Sequence, residues 1–170
     1  MAITLYSITI PVFLKHLNTL QKLLTKATKH AEESSNELTK EKLIGAKLIA
    51  DMGDLVYQIQ RVSDTAKGFA VRVAKIENVP LEDNEKTMED LHARLAKTIE
   101  ILEAVKEADV NAAEDAEVLF KTRAAELKFT GQSYTTEFAL PNFYFHFVTA
   151  YALLRKEGVE VGKGDYLGRG

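Results

Sequence analysis

Phe138–Leu154 reads FALPNFYFHFVTAYALL. Phe138, Phe143, Tyr144, Phe145, Phe147, Val148, Tyr151 and Leu154 surround a helical axis, and a helix apolar on most sides is buried on most sides. Pro141, Asn142 and His146 interrupt the run, which falls short of the roughly 18–20 apolar residues needed to span a bilayer. It therefore predicts a core helix, and a core helix needs other helices around it.

Those partners are visible upstream. After a short irregular lead, Pro11 suits a first helical turn, with Thr9 or Ile10 as cap. Phe13, Leu17, Leu20, Leu24 and Ala27 then recur on one face, and the helix should fade near Ala31, before Ser34-Ser35-Asn36. Thr39 caps a brief turn at Lys40-Glu41-Lys42, and a loop follows with Leu43, Leu48 and Ile49 packed down. A second long helix, with Asp51 and Asp54 bracketing its start in a capping role, runs from Met52 or Gly53 to Lys75 on the stripe Leu55, Ile59, Val62, Ala66, Phe69 and Val73. A connector holding Pro80 leads to Thr87 and Asp90, spaced as a capping box. The third long helix follows Met88, Leu91, Leu95, Ile99, Leu102 and Val105.

Between Glu117 and Thr130 the period drops to two. Val118, Phe120 and Thr122 alternate, as do Leu127 and Phe129, predicting a β-hairpin arm that turns near Arg123 to Ala125. The last helix should begin after Gly131 with Ser133 as cap, kink at Pro141 and stop at Gly158. The tail, Val159–Gly170, has too many glycines to hold a helix; Tyr166 and Leu167 are its apolar anchors and could fold back over the bundle. The expected fold is all-α: an up-down four-helix bundle with a hairpin before the final helix, as one domain over residues 1–170.

Composition bounds function loosely. The 170 residues carry 46% hydrophobic and 28% charged residues and a formal charge of −3. General nucleic-acid binding needs a concentrated basic face, so no nucleic-acid partner is expected, and no membrane partner either. The chain has no cysteine, which excludes disulfides and thiolate chemistry and fits a cytoplasmic protein.

Candidate chemistry lies on the last helix. At about 100 degrees per residue, Thr135, Asn142, His146 and Thr149 align within about 60 degrees. Polar groups inside an apolar cylinder need partners: side chains, water, a small-molecule ligand or a metal. His146 is the candidate catalytic residue, and Asn142, four residues earlier, shares its face. The plain alternative is a satisfied core histidine. Gln58 and Thr65 border the second helix's stripe and could line the same pocket. His16 could reach it or sit at a boundary, and Asp64 could join it, be a solvated carboxylate or face a second contact surface. His30 suits a helix C-terminus and His92 a polar helix start. There is no HExxH, no paired Glu-x-x-His, no phosphate loop and no GxSxG elbow. Nothing in the residues names a cofactor.

Three segments together resemble the DUF1993 family, placed among the DinB/YfiT-like metalloenzymes: TLYSITIPVFLKHLNTL (Thr4–Leu20), LIADMGDLVYQIQRVSDTAKGFAVRVA (Leu48–Ala74) and FTGQSYTTEFALPNFYFHFVTAYALLRKEGVEVGKGDYLG (Phe129–Gly168). The resemblance implies a four-helix bundle with a long connection between helices two and three or their neighbours, and often a homodimer. It also implies a divalent metal held by one histidine from helix two and two from helix four, in some members serving a thiol-dependent transferase. This chain departs there. Its second helix has no histidine, and its fourth has only His146, with Asn142 four residues before it. No metal residues are assigned. The leading expectation is a small-molecule pocket near His146. A metal-dependent transferase or hydrolase and a structural dimerisation module are the alternatives, the last suggested by the aromatic density of Phe143–Tyr151.

Overall fold

The computed structural model describes residues 2–33, 39–122 and 125–169. Four long helices form an up-down bundle: α1 (Ile10–Glu33), α3 (Leu55–Arg72), α4 (Met88–Glu103) and α7 (Leu140–Lys156). Short helices α2 (Lys40–Ile44), α5 (Glu107–Asn111) and α6 (Gly131–Ser133) occupy the connections, and α8 (Lys163–Tyr166) closes the chain. Strands β1 (Glu117–Lys121) and β2 (Glu126–Thr130) pair antiparallel, with Val118 opposite Phe129 and Phe120 opposite Leu127. The turn expected at Arg123 to Ala125 lies mostly outside the described residues; on either side of it the Thr122 N–H donates to Ala125 O at 2.8 Å. Among the described residues no helix is long and apolar enough to cross a membrane.

The stripes read from sequence are the core. Phe13, Leu17, Leu20, Leu24 and Ala27 of α1, and Leu55, Ile59, Val62, Ala66 and Phe69 of α3, are fully buried. Phe13 joins three helices, its ring centroid 5.6 Å from Phe69 and 4.8 Å from Phe143. Two buried hydroxyls, Ser63 and Thr98, meet at 2.7 Å between α3 and α4. This pairing satisfies groups that would otherwise oppose burial.

Several local expectations shift. The helix α1 runs to Glu33, past Ala31. Thr9 Oγ1 donates back to Leu5 O at 2.7 Å rather than capping α1. Thr39 caps α2, but Leu48 and Ile49 are exposed, because the loop packs only Leu43 and Ala46 inward. Asp54, not Asp51, caps α3, accepting from the Tyr57 N–H at 2.9 Å. That helix ends at Arg72, and Lys75 turns left-handed at φ 58°. The Thr87–Asp90 capping box of α4 is present, each side chain accepting the other residue's backbone N–H.

The final helix differs most. Its cap is Thr130, and Ser133 is the reciprocal partner three residues on. The segment Tyr134–Ala139 is a π-helix, in which the Leu140 N–H donates to Thr135 O. Pro141 follows directly. A proline lacks the N–H a helix interior uses and its ring crowds the preceding turn's carbonyl, so a wide turn ahead of it relieves both demands. Nor is α7 buried all round: Phe145 and Val148 are 56% and 44% exposed.

The tail is ordered and does hold a turn of helix. Asp165 accepts from the Gly162 N–H at 2.7 Å and pairs with Lys26 of α1. Tyr166 packs on Phe147 and Tyr151 at 5.0 and 5.5 Å.

Candidate functional site

The connector after α3 does not cross directly to α4. It doubles back along α3, tied by Lys67 Nζ donating to Val79 O at 2.8 Å, by an Arg61–Asp83 ion pair and by Gln60 Nε2 donating to Glu85 at 2.9 Å. This is the long connection between the second and third long helices. Together with α3 and α7 it walls a cleft of about 660 Å³. Helix α3 contributes Tyr57, Arg61, Thr65, Gly68 and Arg72, at spacings of three to four that keep one face toward the cleft for about 22 Å, with Asp64 beside them. Helix α7 contributes Asn142 and His146, the connector Pro80 and Leu81, and the far end is closed by Phe120 of β1 and Phe138.

His146 is almost buried, and its Nδ1 lies 2.7 Å from Gln58 Oε1. The other end of that amide fixes the roles. Gln58 Nε2 donates to Gly53 O at 2.9 Å, and a carbonyl only accepts, so Oε1 is the atom facing the ring. Nδ1 therefore carries the proton and donates it, leaving Nε2 as the lone-pair nitrogen. Burial first, and then the Arg61 guanidinium, push the His146 pKa down to about 4, so the ring is neutral at pH 7. Tyr57 and Phe145 present their rings to it at 5.9 and 5.0 Å.

Asn142 is set by the same logic. Its Nδ2 donates to Thr65 Oγ1 at 2.7 Å, and Thr65 passes its own proton to Arg61 O at 2.6 Å. The amide oxygen of Asn142 is left as a second acceptor in the cleft. Asp64 is no free carboxylate: Arg61 holds it at 2.9 Å and Arg94 at 2.7 Å.

Of the residues expected in a pocket, Asn142, His146, Thr65 and Asp64 line the cleft, and Gln58 stands behind His146. Thr135 and Thr149 do not line it. Each hydroxyl donates into its own helix, to Gly131 O and Phe145 O, both at 2.7 Å. His16 lies on the opposite side of α7, its Nδ1 2.8 Å from Val12 O and its ring edge-on to Tyr144 and Phe147. Burial holds it below its usual pKa. Sequence reasoning missed Arg61, Lys67 and Arg72. For Arg61 and Arg72 the available signal was their spacing on the face of Thr65; Lys67 projects from nearly the opposite side of the helix and gave none, and lysine and arginine beside an apolar stripe ordinarily read as solvated.

The donor set does not fit the divalent-metal centre that the fold family implies. There is one imidazole, Asn142 adds only a neutral amide oxygen, Asp64 is shared by two arginines, and the Arg61 charge that lowers the His146 pKa would also oppose a cation there. Among the described residues no group of three or more His, Cys, Asp or Glu could hold a metal ion.

A comparison with curated proteins gives no significant match. Among solved structures, the chain is similar to the crystal structure of a DinB family member protein from Shewanella denitrificans. The two share 37% sequence identity and a TM-score of 0.85, over 96% of this chain and 92% of that one. Residues 5–167 match the family described as Domain of unknown function (DUF1993). The chain belongs to the DUF1993 family and is related to the DinB/YfiT-like superfamily, and among the described residues its bundle lacks an evident three-histidine cluster.

Proposed function

We propose that this protein binds a small molecule in the cleft between α3, α7 and the returning connector, with Nε2 of neutral His146 as its acceptor or general base. The observation that carries the reading is the Gly53–Gln58–His146 relay, which holds one tautomer of a nearly buried imidazole at a cleft wall. A core histidine needs only a satisfied ring; this one keeps a lone pair on the face of a large cleft. Screening a small-fragment library by ligand-observed NMR against wild type and His146→Ala tests it. Fragment binding should be lost in the variant while the melting temperature falls only slightly. Parallel loss of binding and of folding would remove the site.

A homodimer is the second reading. Phe145 on α7 and Tyr57 on α3 are exposed on either side of His146, Val148 is exposed further round α7, and exposed apolar groups gathered together mark contact surfaces. Sedimentation should show a dimer at micromolar concentration; a monomer removes this reading. Cytoplasmic location belongs to the same proposal, and cell fractionation tests it.

A further inference from the structure

The cleft's charge is out of balance. Arg61, Lys67 and Arg72 line it, with Asp64 as the lining carboxylate, although the chain as a whole carries −3. The carboxylates nearby are already engaged. Arg94, behind the wall, takes Asp64, Asp83 at 3.0 Å and Glu85 at 2.7 Å, and Arg61 takes Asp64 and Asp83. Among the described residues Lys67 and Arg72 have no ion-pair partner. The Lys67 ammonium meets only a backbone carbonyl, and burial lowers its pKa, with Asp64 acting against that shift. Arg72 donates to the Tyr134 hydroxyl at 3.2 Å and stacks over the Phe120 ring at 4.9 Å.

A feature of α3 keeps Arg72 there. A Cβ on Gly68 would lie 2.2 Å from Arg72 Nη1, so the guanidinium lies back over the bare backbone of the preceding turn. Glycine is otherwise unfavourable in a helix interior by about 1 kcal/mol relative to alanine. Its effect at this position is to place a cation at the apolar end of the cleft, beside Phe120 and Phe138.

We propose that this end of the cleft binds the carboxylate of a small organic anion, with Arg72 and Lys67 on the charge and Phe120, Phe138 and Leu81 on the apolar body. A planar guanidinium stacked on a ring matches a carboxylate's two oxygens, and a desolvated ammonium strengthens the pull. The proposal rests on the reading that the cleft takes a small molecule, and it names that molecule's class. Gly68 is a positioning residue that acts through Arg72.

Benzoate and benzamide are matched probes, alike in shape and different in charge. Titrating each into the ¹⁵N-labelled protein, while following the Arg72 Nε–H and Gly68 amide signals, should show benzoate binding at least about tenfold tighter, a preference that salt weakens. Arg72→Gln and Gly68→Ala should each remove that preference and leave benzamide unchanged. Gly68→Ala should do so without lowering the melting temperature, since alanine favours the helix. Equal affinities for the two probes, or a preference that survives both substitutions, overturns the proposal. Benzamide binding that depends on His146, without any preference for benzoate, overturns the anion assignment alone. Binding of neither probe, with no fragment hit in the wider screen, overturns both this and the cleft reading.

Discussion

At the scale of single residues, His146 links the candidate site to stability. Its pKa is about 4 in the folded protein against an ordinary 6.5. Between those values the unfolded chain binds a proton that the folded one refuses. Stability is therefore fully present above about pH 6.5 and falls as pH drops toward 4, by about 3 kcal/mol once both states are protonated. Urea unfolding of wild type and His146→Gln at pH 7 and pH 4.5 should show the wild type losing more on acidification, with most of that difference absent in the variant. Gly131 makes a different demand. A Cβ there would meet Ala113 O at 2.1 Å, where the Gly131 N–H also donates to Ala116 O at 3.0 Å. The obstacle is backbone, which cannot swing aside as the Arg72 side chain can. Gly131→Ala should destabilise by about 1–3 kcal/mol in denaturant titration, while Gly68→Ala does not. Sequence showed both glycines but not which was crowded, because the atoms that crowd Gly131 come from another segment of the chain.

Among the elements, the α8 turn carries the clearest expectation. Tyr166 closes over Phe147 and Tyr151, and Asp165 reaches Lys26 on α1. Truncation after Gly162 should lower the melting temperature by about 4 °C, as expected for roughly 1–2 kcal/mol in a chain this long. An unchanged melting curve would mean the turn adds nothing to the fold. The anchor Tyr166 was legible in the sequence; the helical turn was not, because glycine propensity argues against it and only packing on the bundle overrides that. The same holds for Tyr134–Ala139. Pro141 announced a disturbance in the last helix, but a proline alone does not choose between a kink and a widened turn. The stripes of α1, α3 and α4 and the capping box at Thr87 were legible, since each depends on local spacing alone.

For the whole molecule, the bundle could be read from three apolar stripes and one nearly all-apolar helix, and the cleft could not. Its walls come from α3, α7, the hairpin and a connector whose sequence, Glu77–Lys86, has no periodicity. What seats that connector is charge: Arg94 is almost sealed from solvent, with three carboxylates around it, and Arg61 reaches the same strip of chain. A carboxylate run beside Pro80 reads in one dimension as a solvated loop, and only the return along α3 turns it into a wall.

That return has a consequence for how the cleft could respond to its surroundings. The sides made by α3 and α7 are fixed by aromatic and aliphatic packing, which dissolved ions scarcely affect. The side made by the connector is pinned partly by the half-exposed Arg61–Asp83 pair, which dissolved ions screen. Raising ionic strength would thus loosen the rim while leaving the floor in place, making ligand entry, more than ligand fit, a property of the buffer.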